Sequence, residues 1–276
     1  MLVSSRFRAL TFRFDVAAPS VEPIACCERL FANLAVASRA PIHHYRIDDA
    51  DTGYELRLDG HLIGQAAELS RLVGDLAADA NRHAVSSSAT LTLHAGGVER
   101  DGVGFVFPGA SQAGKSTLVA GLTRGAFRYV SDEAVALDWR TLAIRPYPKP
   151  LGLDRGSWEL FPELERRACA GGADEWLVPV DADAVASPCR VAVVAFPRYE
   201  KAARTSLEPL RRAEALIELT KNTFRFDALG RRALRVLGAL VREVDCYHFV
   251  IGDVDDACTL VEELARSPRR SDAAST

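Results

Sequence analysis

A chain of 276 residues, 48% hydrophobic and 26% charged, is long enough for one large domain or two small ones with a buried core. Its formal charge of -3 and pI near 6.1 carry no chain-wide basic footprint, which argues against nucleic acid as a main partner. No apolar run approaches the roughly 20 residues of a membrane span, and Arg6, Arg8 and Arg13 interrupt the opening stretch, so neither a membrane partner nor a signal peptide is expected. The six cysteines contain no C-x-x-C pair; buried free thiols in a reducing cytoplasm are the expectation.

Arg6 to Val16 alternates polar and apolar residues, as a half-buried strand does. Ile24 to Val36 predicts a short helix, and His43–Asp48 with Tyr54–Leu58 a hairpin around Asp49–Gly53. The neighbouring His43 and His44 would point to opposite faces of such a strand, which argues against a shared metal. Gln65 to Ala84 repeats Leu69, Leu72, Val73, Leu76 and Ala80 at helical spacing. Ser86-Ser87-Ser88 marks a boundary, leaving a small α+β unit over 1–88, either acceptor-binding or packed on the core, before a domain over 89–266.

Thr90–Glu99 and Val103–Phe107 flank Arg100-Asp101-Gly102, a strong hairpin signal. The second of these strands runs into Gly109-Ala110-Ser111-Gln112-Ala113-Gly114-Lys115-Ser116-Thr117, which fits G-x-x-x-x-G-K-[ST] and opens a helix-like stretch. Glycines let the backbone curl around a polyphosphate so that amide N–H groups and a helix N-terminus face its oxygens. Lys115 would neutralise the β- and γ-phosphates of ATP, and the Ser116 hydroxyl would ligate Mg²⁺. Phe127 to Asp138 is strand-like and carries Asp132 and Glu133; a carboxylate there could hold Mg²⁺ or accept a proton from an attacking hydroxyl.

Beyond the loop, Pro146–Pro150 is irregular, with Lys149 a solvated side chain, and the polar stretch 154–174 resembles an insertion or flexible loop. Arg190–Phe196 reads as a buried strand, Arg211–Leu219 and Arg231–Val241 as helices, Tyr247–Ile251 as a strand and Val254–Ala265 as a helix. Residues 267–276 read as a disordered tail.

Leu93-His94-Ala95, PGASQAGKSTL, and the step Gly125-Ala126-Phe127 into YVSDEAVALD together resemble the kinase domain of HPr kinase/phosphorylase. They are more similar still to the HPr-kinase-related proteins of bacterial peptide and exopolysaccharide gene clusters. The resemblance has specific motifs over Thr90 to Leu153 and only element order to about Arg266. It implies an α/β phosphate-loop core akin to phosphoenolpyruvate carboxykinase, a serine kinase using ATP and Mg²⁺, a small protein or peptide as acceptor, and a homo-oligomer. By position, Gly109, Gly114, Lys115, Ser116 and Thr117 would bind triphosphate and metal. Asp132 matches the first of two adjacent acids, base or metal-orienting; Glu133 stands where that family usually has Asp; His94 matches a histidine near the active site. Residues 1–88 match nothing in the bifunctional enzyme, and its later Gly-Arg-Asn signature is missing, which points away from an HPr regulator. Two alternatives stand beside the kinase: a nucleotide-sensing module without transfer activity, and a small-molecule kinase or carboxykinase-like enzyme.

Overall fold

A computed structural model describes residues 2–37, 41–165, 167–171 and 175–266, and shows a mixed α/β protein with several sheets. The chain divides into two compact units. The first takes in the chain up to Ala89 and Pro148–Asp183; the second takes in Thr90–Tyr147 and the chain from Ala184 onward. The stretch 148–183, expected within the second domain, thus folds with the first. The predicted tail lies outside the described residues. No described helix is long and apolar enough to cross a membrane.

The first unit begins with β1 (Val3–Ala9), β2 (Phe12–Ala18) and α1 (Val21–Leu30), the helix stopping earlier than predicted and passing into a short 3-10 turn over Ala32–Leu34. There follow β3 (His43–Ala50), β4 (Gly53–Leu58), β5 (His61–Ala66) and α2 (Leu69–Ser86). The five strands lie in sequence order in one sheet, antiparallel except for the β2–β3 pair. Alternation along β1 and β2 buries Phe7, Phe14 and Val16 on one face, where Phe7 meets Phe31 edge to face at 5.4 Å between ring centroids. His43 bonds Asp59 at 2.9 Å and His44 bonds Asp15 at 3.0 Å, so each ring has its own carboxylate. Among the described residues no group of three or more His, Cys, Asp or Glu could hold a metal ion.

The second unit starts with β6 (Leu91–Arg100) and β7 (Val103–Pro108), joined through Asp101 at φ 53 and Gly102 at φ 79, the two positive values a tight hairpin turn needs. Then come α3 (Lys115–Thr123), β8 (Arg128–Ser131), β9 (Ala134–Leu137) and β10 (Ala143–Arg145). The predicted single strand over 127–138 is therefore broken at Asp132-Glu133, and β8 and β9 pair with successive stretches of β6, one after the other.

The chain next returns to the first unit as β11 (Leu151–Asp154), α4 (Arg155–Trp158), α5 (Pro162–Glu165), β12 (Ala170–Gly171) and β13 (Glu175–Val178). The expected flexible insertion is thus a built element, a three-stranded sheet in the order β11-β13-β12. It meets distant sequence: Asn33 donates to the Val180 carbonyl at 2.7 Å, and Gly74 in α2 runs so close to Gly171 that a Cβ there would lie 3.0 Å from it. Lys149 is buried, with Nζ donating to the Pro150 carbonyl at 3.0 Å, and not solvated as predicted.

The second unit closes with β14 (Cys189–Tyr199), β15 (Ser206–Pro209), α6 (Arg212–Lys221), α7 (Phe226–Glu243, interrupted at Gly230), β16 (Asp245–Ile251) and α8 (Val254–Arg266). Its sheet runs β10-β9-β6-β7-β14-β16-β15, and β7, β14 and β16 are mutually parallel. One face, with Leu91, Leu93 and Ala95 of β6, packs on Ala215 and Leu219 of α6 and on Leu237 and Leu240 of α7. On the other face Gly96 opens space for α3: a Cβ there would lie 2.9 Å from Val119 Cγ2 and 3.5 Å from Lys115 Cβ. Gly96→Val should therefore push α3 away from the sheet, lowering stability by about 1–3 kcal/mol. Urea denaturation checks this, and an unchanged midpoint would mean that α3 has room to spare.

All six cysteines are free thiols, and burial is the first cause that raises those of Cys27, Cys189, Cys246 and Cys258.

Candidate functional site

The loop Gly109–Gly114 leaves the C-terminal end of β7, every residue of which is buried, and enters α3. It stands where the parallel strands of an α/β sheet end, the usual place for a ligand in such sheets. A Cβ on Gly114 would lie 3.6 Å from Tyr199 and 3.7 Å from Ile251, the last residues of β14 and β16. Two residues of the loop have left-handed backbone, Gln112 at φ 65 and Gly114 at φ 89. At Gly109 a Cβ would approach Ala113 Cβ to 3.0 Å, a tight contact that the loop would have to shift by a few tenths of an ångström to accept. Ala110, Ser111 and Gln112 are exposed, while Ala113, Gly114, Ser116 and Thr117 are half-buried. The Leu118 amide bonds the Gly114 carbonyl at 2.9 Å, at the start of α3.

Lys115 is 7% exposed and its ammonium folds back over the loop, donating to the carbonyls of Gly109 at 2.8 Å and Ala110 at 2.7 Å. Burial lowers its pKa, and the nearby carboxylates of Glu133 and Asp132 oppose that shift. A cation held by two carbonyls and facing two acids is an anchored positive charge at the mouth of the loop.

Asp132, 2% exposed, sits at the bend between β8 and β9. The Ser116 hydroxyl donates to its Oδ2 at 3.2 Å, and the Tyr129 hydroxyl donates to its Oδ1 at 2.8 Å. Tyr129 is wholly buried, and burial, followed by the Asp132 charge, raises its pKa, which keeps the phenol protonated and donating. Ser131 supports the bend, its Oγ accepting from the Ala134 amide at 3.2 Å. Glu133 is half-buried, and its carbonyl accepts from the Ala95 amide at 3.0 Å, tying the acids to β6.

His94 lies opposite Ala134 on β6, half-buried, with its ring 5.4 Å from that of Phe224. Its carbonyl accepts from the Gly109 amide at 3.2 Å, and its amide donates to the Asn222 carbonyl at 2.7 Å. Burial first and Lys115 second lower its pKa, with Glu133 opposing, so the neutral imidazole is favoured.

The structure thus brings together Lys115 and Ser116 of α3, His94 of β6, and Asp132 and Glu133 of the bend between β8 and β9. Sequence reading missed Tyr129, which looks like any strand aromatic, and Gly96, which carries no turn signal in a strand. It also missed Tyr199, which is exposed beside the loop. A scan against models of known protein families finds no match to this chain, and a search of curated proteins finds none.

Proposed function

We propose that this protein is an ATP-dependent phosphotransferase that passes a phosphoryl group from Mg-ATP to a hydroxyl, a serine of a peptide or small protein. The supporting observation is the approach of Ser116 Oγ to within 3.2 Å of a buried Asp132, at the first helical turn after a Gly-Lys loop. Such a transfer needs little covalent chemistry from the protein, only alignment and charge neutralisation. The acceptor oxygen attacks phosphorus, the bond from phosphorus to the ADP oxygen breaks, and the hydroxyl proton leaves to a carboxylate.

The loop amides and the start of α3 would receive the phosphate oxygens, with Lys115 turning from its two carbonyls towards them. The hydroxyl of Ser116 and the carboxylate of Asp132 are a hard, all-oxygen pair, which suits a cation that takes one or two protein ligands and leaves the rest to phosphate and water. Mg²⁺ bound there would neutralise charge on the transferred group. Tyr129 fixes the rotamer of Asp132 and leaves its other oxygen to Ser116. Glu133, electrostatically coupled to both Lys115 and His94, lies beside the same mouth.

Ser116→Ala tests the assignment. The variant should lose Mg²⁺-dependent phosphate transfer by about tenfold or more, yet keep metal-free ATP binding within a few-fold. Transfer from γ-labelled ATP and calorimetric binding with and without Mg²⁺ supply the two readings. Equal losses in both would make the hydroxyl a structural partner of Asp132 and no metal ligand.

A further inference from the structure

Three arginines on the outer face of the first sheet, Arg6, Arg8 and Arg13, make no side-chain ion pair among the described residues. Phe7, Ala9, Phe12, Phe14 and Val16 are buried, so Arg6, Arg8 and Arg13 project from the opposite face. The remaining arginines of that face are matched: Arg46 bonds Asp48 at 2.8 Å and Arg57 bonds Glu55 at 2.7 Å. Asp15, directly across from Arg6 in the strand register, bonds His44 at 3.0 Å. Among the described residues the guanidinium groups of Arg6, Arg8 and Arg13 make no hydrogen bond or ion pair; their backbones are paired in the sheet. Arg8 and Arg13 are themselves directly opposite each other across β1 and β2, an arrangement in which like charges destabilise a sheet.

Edge protection does not account for them. Charged residues do discourage unwanted pairing at a sheet edge, but Arg13 lies on β2, which is paired on both sides. The free side of β1 is already met by its own chain, with the Val36 amide donating to the Arg6 carbonyl at 3.1 Å and Phe7 bridging Ala35.

We propose that this corner of the sheet is a docking surface for an extended acidic peptide segment with carboxylates at alternate positions. Arg6 and Arg8 are two residues apart on one strand, roughly 6.7 Å, and side chains on one face of an extended peptide repeat at the same interval. Guanidinium forks take carboxylates in bidentate pairs, and a carboxylate placed between Arg8 and Arg13 would relieve their mutual repulsion. Ile42, 56% exposed, follows on β2's other side, its amide donating to the Arg13 carbonyl at 3.1 Å, and offers an apolar contact beside the charges. The inference does not depend on the phosphotransfer reading, because it concerns only the first unit.

The test uses the full chain and a labelled peptide of about ten residues in which Glu and Ser alternate, followed by fluorescence anisotropy at low salt. Wild-type protein should bind it, and Arg8→Gln/Arg13→Gln should weaken binding by about tenfold. Arg46→Gln, on the same face but paired, should change it less than about twofold. A peptide with the same five glutamates in one block should bind more weakly than the alternating one. The double variant should melt no lower than wild type, since it loses a repulsive pair. Equal binding by wild type and double variant, or equal binding of a Gln-Ser peptide, would overturn the proposal. So would a preference for vesicles of phosphatidylserine and phosphatidylcholine that the double variant abolishes, because the surface would then serve lipid.

Discussion

Asp132→Asn should transfer phosphate at least a hundredfold more slowly than the wild type, while binding ATP without metal within a few-fold of it. A serine hydroxyl is a poor nucleophile at neutral pH, and a carboxylate that accepts its proton is worth about 10² to 10⁴ in rate. Asparagine keeps the shape, and its carbonyl can still accept from Tyr129 while its amide turns to Ser116, whose hydroxyl can accept as well as donate. The fold should therefore survive the change. Single-turnover transfer from γ-labelled ATP, run beside binding on the same preparation, gives the comparison. Recovery of the rate at high Mg²⁺ would make Asp132 a holder of the cation; persistence of the loss would make it the proton acceptor. Wild-type rates under all conditions would remove it from the chemistry and favour a nucleotide switch.

Lys115→Ala should weaken ATP binding by an order of magnitude or more. The wild-type ammonium occupies a buried place between two carbonyls and two acids, so alanine leaves the loop mouth net negative where a polyphosphate must enter. The same substitution removes two hydrogen bonds from the loop, which alone would cost stability of about 1–3 kcal/mol. Calorimetry and thermal melting separate the two consequences. A destabilised variant with unchanged ATP affinity would show that Lys115 is a strut of the loop and not a ligand for phosphate.

How much of this was legible in the sequence depends on whether each signal was local. The Asp101-Gly102 hairpin was legible because a turn with two positive φ values narrows the choice of residues at those positions. The helical repeat of Leu69 to Ala80 was legible because one face of α2 must be apolar throughout. Strand β5 escaped because His61–Ala66 is an exposed outer strand with no clean alternation. The bend at Asp132-Glu133 escaped because neither glycine nor proline marks it, and only pairing with β6 decides where one strand ends and the next begins. Of the candidate site, the loop and its lysine were readable from spacing, and so was the acid pair. Tyr129 was not, since its hydroxyl matters only because Asp132 is brought within 2.8 Å of it. The stretch 148–183 was the largest misreading, because the residues that order it, Asn33 and Gly74 among them, lie far away along the chain.

That stretch has a consequence for how the protein is made. The backbone passes from one unit to the other three times, after Ala89, after Tyr147 and after Asp183. A nascent chain emerging from the ribosome therefore exposes α1 and α2 well before Gly171 and Val180 arrive to cover them, and in the interval the whole β6 to β10 segment has been synthesised. The amino-terminal portion is not a detachable module, and its last step of folding waits for residues translated after the Gly109–Gly114 loop.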